Sequence, residues 1–147
     1  MKNPKSLVLI AAGAILLTLA GCSEDDNPMQ PRVVDFSGTW QGQFSHPSYD
    51  GGTLTLNLTE VRGDSIPGTY QLRLTKVLSN GRTEVQNYGG NVTNARRTGE
   101  TGISFTLQHT QFTWDGTGSS PADGRMSGTW RSRTSSGING TFDTARN

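Results

Sequence analysis

The sequence predicts an all-β protein, an antiparallel up-and-down barrel of about eight strands. Three observations predict it. From Val34 onward, apolar and polar residues alternate with period two, as half-buried strands with one apolar and one wet face do. Turn-forming groups punctuate the alternation at Asp50-Gly51-Gly52, Arg62-Gly63-Asp64, Asn80-Gly81, Arg97-Thr98-Gly99 and Ser135-Ser136-Gly137. No window of the same region carries the i, i+3, i+4, i+7 apolar stripe of a helix. The composition agrees, with 19 glycines and only 17% charged residues in 147. Closing short strands into a barrel removes sheet edges that would otherwise invite aggregation. A two-sheet β-sandwich satisfies the same alternation and is the alternative architecture.

The first element is not part of that domain. Lys2 and Lys5 precede an apolar run from Ser6 to Ala20, which is shorter than the roughly 20 residues a membrane span needs. A basic start, an apolar run and small residues make a secretory signal over residues 1–21. Leu19-Ala20-Gly21-Cys22 resembles the lipobox of bacterial lipoproteins. The resemblance implies cleavage before Cys22, a diacylglycerol thioether on that residue, and a membrane as partner through the anchor. Ser23 is similar to the residue that sorts such proteins to the outer membrane. Glu24-Asp25-Asp26 resembles a surface-export tag and reads equally as a solvated tether. Residues 22–33, with Pro28 and Pro31 and no periodicity, are expected to be a flexible tether. Cys22 is the only cysteine, so the domain has no internal disulfide. Without Lys2 and Lys5 the chain carries 11 basic and 12 acidic side chains, a net charge of −1. That balance argues against nucleic acid as a partner.

The barrel domain is expected over 34–147. Its first strand, 34–44, aligns Phe36, Gly38, Trp40, Gly42 and Phe44 on one face. Strand 52–61 does so with Leu54, Leu56 and Leu58, and strand 66–78 with Tyr70, Leu72 and Leu74. Between that strand and 83–93, Asn80-Gly81 predicts a two-residue turn with both residues at positive φ. In 83–93, Gln86, Asn87, Gly89 and Gly90 blur the two faces. Strands 102–109 (Ile103, Phe105, Leu107) and 110–116 (Phe112, Trp114) have no clear turn between them, and one bent strand is the alternative. A long loop is expected over 116–124. Strands 124–133 (Met126, Trp130) and 138–146 (Ile138, Phe142) complete the count. Gly-Thr-aromatic recurs at Gly38, Gly68, Gly128 and Gly140, where the glycine leaves room for a neighbouring strand's ring.

Phe36-Ser37-Gly38-Thr39-Trp40 resembles the Gly-x-Trp opening of the calycin barrels: lipocalins, fatty-acid-binding proteins and avidins. The resemblance implies a calycin-like barrel closed by pairing of its first and last strands. It also implies an arginine packed over the tryptophan. By parity Arg146 shares the inward face with Ile138, Gly140 and Phe142, so Trp40 and Arg146 are the expected closing pair. Gly38 and Gly140 are expected to clear the space beside them.

The residues point away from an enzyme. A nucleophile–histidine–acid arrangement needs a base beside a nucleophile, and neither His46 nor His109 sits in such a motif. His46, before Pro47, is expected in a surface loop. His109 continues the face of Phe105 and Leu107 and is expected at a strand end or a barrel mouth. Two histidines far apart in sequence, without a cysteine cluster, predict no metal site, and no cofactor motif is present. Asp115 and Asp123 flank the expected long loop as turn caps. Asn57, Asn91 and Asn139 open glycosylation-type triplets that read as threonine-rich strand, and Arg62-Gly63-Asp64 reads as a turn.

Two functions remain. In the first, the barrel is largely filled, and the protein is a non-catalytic interaction or structural module meeting other envelope proteins through its polar face or loops. In the second, Trp40, Tyr70, Phe105, Trp114, Trp130 and Phe142 line an internal cavity that carries a small apolar or aromatic ligand.

Overall fold

Residues 33–59, 65–120 and 124–147 are described by a computed structural model. The alternation of the sequence becomes eight strands: β1 (Gly38–Phe44), β2 (Gly51–Leu58), β3 (Gly68–Val77), β4 (Thr83–Thr98), β5 (Gly102–Gln108), β6 (Thr113–Ser119), β7 (Arg125–Ser132) and β8 (Asn139–Arg146). Each pairs antiparallel with its neighbour in the chain, and β8 returns to β1, so the sheet is a closed up-and-down barrel. The closure excludes the sandwich and is compatible with a calycin-like fold. In the closing register Trp40 stands opposite Arg146, and Phe44 opposite Phe142. Residues 1–32, with the expected signal segment, Cys22 and the expected tether as far as Arg32, lie outside the described residues. So do Arg62-Gly63-Asp64 and Asp123.

Inward positions carry the apolar face. Leu54, Leu56, Leu72, Leu74, Ile103, Leu107 and Met126 are buried among the rings. Each such side chain contributes about 1.5–3 kcal/mol when buried, an upper estimate against an extended unfolded chain. The outward face is hydroxyl and amide, with pairs such as Thr39 Oγ1 donating to Asn57 Oδ1 at 2.8 Å.

Four expectations need correction. The first strand starts at Gly38, not at 34. Phe36 turns inward as a plug, and Gly38, at φ +111°, redirects the chain into β1. Strand β4 runs on to Thr98, because Asn94 at φ +51° forms a bulge instead of ending it. Beyond the bulge Ala95 is buried, and its carbonyl accepts the Ile66 amide at 2.9 Å.

The first four residues of the expected long loop, 116–119, belong to strand β6. Gly116 and Gly118 hold inward positions whose space is occupied by other residues' rings: a Cβ at Gly116 would lie 2.5 Å from the Phe105 ring. Low hydropathy there hid a buried face. Finally, only Gly81 of the Asn80-Gly81 pair has positive φ, +76°. Gly81 N–H donates to Leu78 O at 2.9 Å and Leu78 N–H to Arg82 O at 2.8 Å, a three-residue loop with a glycine bulge. Strands β5 and β6 are separate, joined by a turn in which His109 N–H donates to Phe112 O at 2.9 Å.

Candidate functional site

One end of the barrel is sealed. Trp40 is fully buried and its indole N–H donates to Phe36 O at 2.9 Å, which pins the plug. The Arg146 guanidinium lies over the Trp40 ring, 4.7 Å from its centroid, and also donates to Asp35 O. Arg97 covers Phe36 at 5.6 Å and donates to Val34 O. Hydrogen bonds from Ser37 hold the Asp35 carboxyl below its ordinary value, helped by the two arginines. Gly38 does face the Arg146 side chain, at 3.9 Å from its would-be Cβ. Gly140 does not: it sits at the opposite end, against Trp130 and Ser45.

The middle is full. Trp40, Tyr70, Phe105, Trp114, Trp130 and Phe142, the six candidate ligand-lining residues, are each at most 5% exposed. Phe105 and Phe142 lie 5.6 Å apart, and the Tyr70 hydroxyl donates to Gln108 O at 3.1 Å. Burial pushes the Tyr70 phenol up to about 12.

The other end is open and aromatic. Up-and-down topology brings every second connection to it, so loop 45–50 shares that end with loops 78–82, 109–112 and 133–138. Trp114 stacks on Phe112 at 3.9 Å and packs on Trp130 at 4.5 Å. Phe44 stacks on Trp130 at 4.9 Å. His46 is no free surface histidine: its ring is half-buried and stacked on Trp130, 5.2 Å between centroids and 20° between planes. Burial lowers the His46 pKa below 6.5, so the ring is neutral at pH 7. Its Nδ1 accepts the Ser48 amide at 3.1 Å, which leaves the proton on Nε2.

His109 stacks on Phe112 at 5.1 Å. The two histidines, distant in sequence, thus end on one aromatic cluster. Among the described residues no three metal-capable side chains converge.

Tyr49 and Tyr88 form the facing wall. Both hydroxyls donate to Gln86 Oε1, Tyr49 at 2.5 Å, while Gln86 Nε2 donates to Glu84 at 3.0 Å. Burial raises the Tyr49 pKa. Tyr88 meets Phe112 edge-on at 5.2 Å. Between these walls lies a cavity of about 250 Å³, floored by Leu74 and rimmed by Gln111, Ser132, Thr134 and Ser135. Of the six candidate lining residues only Trp114 reaches it. Sequence reasoning missed Tyr49, Tyr88 and Phe112 as its walls. The available signal was topological: residues flanking alternate turns of a meander share one end.

Asp115 is likewise not a loop cap. It lies on β6 opposite Thr106, accepts the Thr106 hydroxyl at 2.9 Å and the Arg133 Nε–H at 2.6 Å, and is held below its ordinary pKa mainly by Arg133.

No protein-family model matches the chain, and no curated protein is similar to it in sequence.

Proposed function

We propose that the protein is a lipid-anchored outer-membrane module whose barrel is a filled, non-catalytic scaffold. It works by surface contact, with the open aromatic end as its working surface. The observation that carries the reading is the interior, where the six rings that a carrier would arrange around a ligand pack as core. An eight-stranded barrel is just wide enough for side chains to fill or for one small ligand, and the burial of these six rings supports the filled case. The anchor rests on the basic start, the apolar run and Leu19-Ala20-Gly21-Cys22. Two or three acyl chains hold stably, and a tether of about a dozen residues reaches about 40 Å when extended.

Two measurements test the two halves. Cys22→Ser is expected to leave the membrane fraction and to lose incorporation of labelled palmitate. Unchanged fractionation, with no label in the parent chain, overturns the anchor. Titration with a long-chain fatty acid is expected to leave tryptophan emission unchanged. A saturable shift that disappears when Phe105 is enlarged to Trp would mark an internal ligand and restore the carrier reading.

A further inference from the structure

We propose that the cavity at the open end binds one neutral sugar residue, presented by a glycan. This rests on the surface-contact reading above and assigns that surface its ligand class.

Charge narrows the choice first. The walls and rim hold no carboxylate, lysine or arginine, and the one titratable base among them, His46, is neutral at pH 7. A charged ligand would enter without a partner, which desolvation penalises heavily. A wholly apolar ligand fails for the opposite reason. It would cover the exposed Gln111 amide and the Ser135 and Thr134 hydroxyls and strip them of water, while Ser132 Oγ is already held by the Thr134 and Ser135 amides. The ligand is therefore neutral and two-sided, with an apolar face and a hydroxylated edge.

Size and shape agree. A cavity of about 250 Å³ falls below the range of drug-sized sites and suits a single ring. A pyranose offers a flat C–H face for the half-buried Tyr88 ring, since Phe112 and Trp114 are covered by each other and by neighbouring rings, and an equatorial ring of hydroxyls for the serine, threonine and glutamine rim. Hydroxyls and amides both donate and accept, as sugar recognition requires. The facing wall is already fixed, because Gln86 ties Tyr49 and Tyr88 together, so little side-chain freedom remains to be lost on binding.

The test uses the full chain in a detergent without a sugar headgroup, such as lauryldimethylamine oxide. Tryptophan emission is followed while glucose, galactose, mannose and N-acetylglucosamine are added, with uracil as a neutral planar control and a long-chain fatty acid as an apolar one. At least one sugar is expected to give a saturable shift, with a dissociation constant on the order of 1 mM. Gln111→Ala, at an exposed rim position, and Tyr88→Ala are expected to weaken it by roughly tenfold. Gln111→Ala should leave the unfolding midpoint in place, which separates a lost contact from a lost fold. Silence from all four sugars, saturation by uracil or the fatty acid instead, or undiminished affinity in Gln111→Ala overturns the proposal. If sugars fail while Cys22→Ser still frees the chain from membranes, only this inference falls and the anchored-module reading stands.

Discussion

His46 follows β1 by two residues, and its stack on Trp130 decides its chemistry. Burial disfavours the imidazolium, so the folded-state pKa lies below 6.5 while the unfolded chain titrates near that value. The sign follows: the unfolded state takes the proton first, so stability from this group is full above about 6.5 and fades as pH falls through the lower folded value. An NMR titration should place the His46 midpoint below 6.5, and His46→Gln should remove that part of the pH dependence. A midpoint at or above 6.5 contradicts the burial argument. Gly128 makes the complementary point about space. A Cβ there would sit 2.1 Å from Thr117 O and 2.7 Å from the Phe142 ring, whereas Gly51 has nothing within 4 Å. Gly128→Ala should destabilise by about 1–3 kcal/mol in chemical denaturation. Gly51→Ala should be neutral or slightly stabilising.

Strand closure is decided at the ends of β1 and β8. Arg146 lies over Trp40 and reaches the backbone of Asp35, so one side chain joins the last strand, the first strand and the plug. Arg146→Ala should reduce stability by about 0.5–2 kcal/mol, and Arg146→Lys should recover only part, since a lysine lacks the planar guanidinium. Equal midpoints for all three chains would show that the contact is incidental. The β5–β6 hairpin is secured differently, from outside, by Thr106, Asp115 and Arg133. The Asp115 carboxyl is depressed below 3.8, so its contribution is complete above that value and is lost as pH falls through the folded one. The stability gap between the parent chain and Asp115→Asn should therefore narrow only below about pH 4. A gap that is constant down to pH 2 removes the ion pair from the account.

A closed barrel has no edge, and at molecular scale that is the condition of its stability. Removing residues 139–147 would expose the edges of β1 and β7 and empty the place of Phe142. The truncated chain should lose its cooperative unfolding transition and aggregate, as unpaired edges do. A cooperative, monomeric truncation would mean that seven strands close without the eighth. The fold was legible because period-two alternation survives in Leu54-x-Leu56-x-Leu58 and Tyr70-x-Leu72-x-Leu74 whatever their neighbours. It blurred at Gly116 and Gly118, where the apolar face is supplied by Phe105 and Phe142 from other strands. It blurred again at Asn94, where the bulge shifts the register of β4 against β5.

By itself the sequence determined the strand class, the approximate number of strands and most of the inward set. Each follows from local alternation and parity, which require no knowledge of where a strand's partner lies. Only the tertiary structure decided that the barrel is closed and not a sandwich, that its inward rings are buried, and that Phe36 seals one end. It also decided the site. His46, Tyr49, Tyr88, His109, Phe112 and Trp114 come from three separate stretches of chain with no shared motif. What unites them is that alternate connections of a meander emerge at the same end, a property of closure that no single stretch of sequence carries.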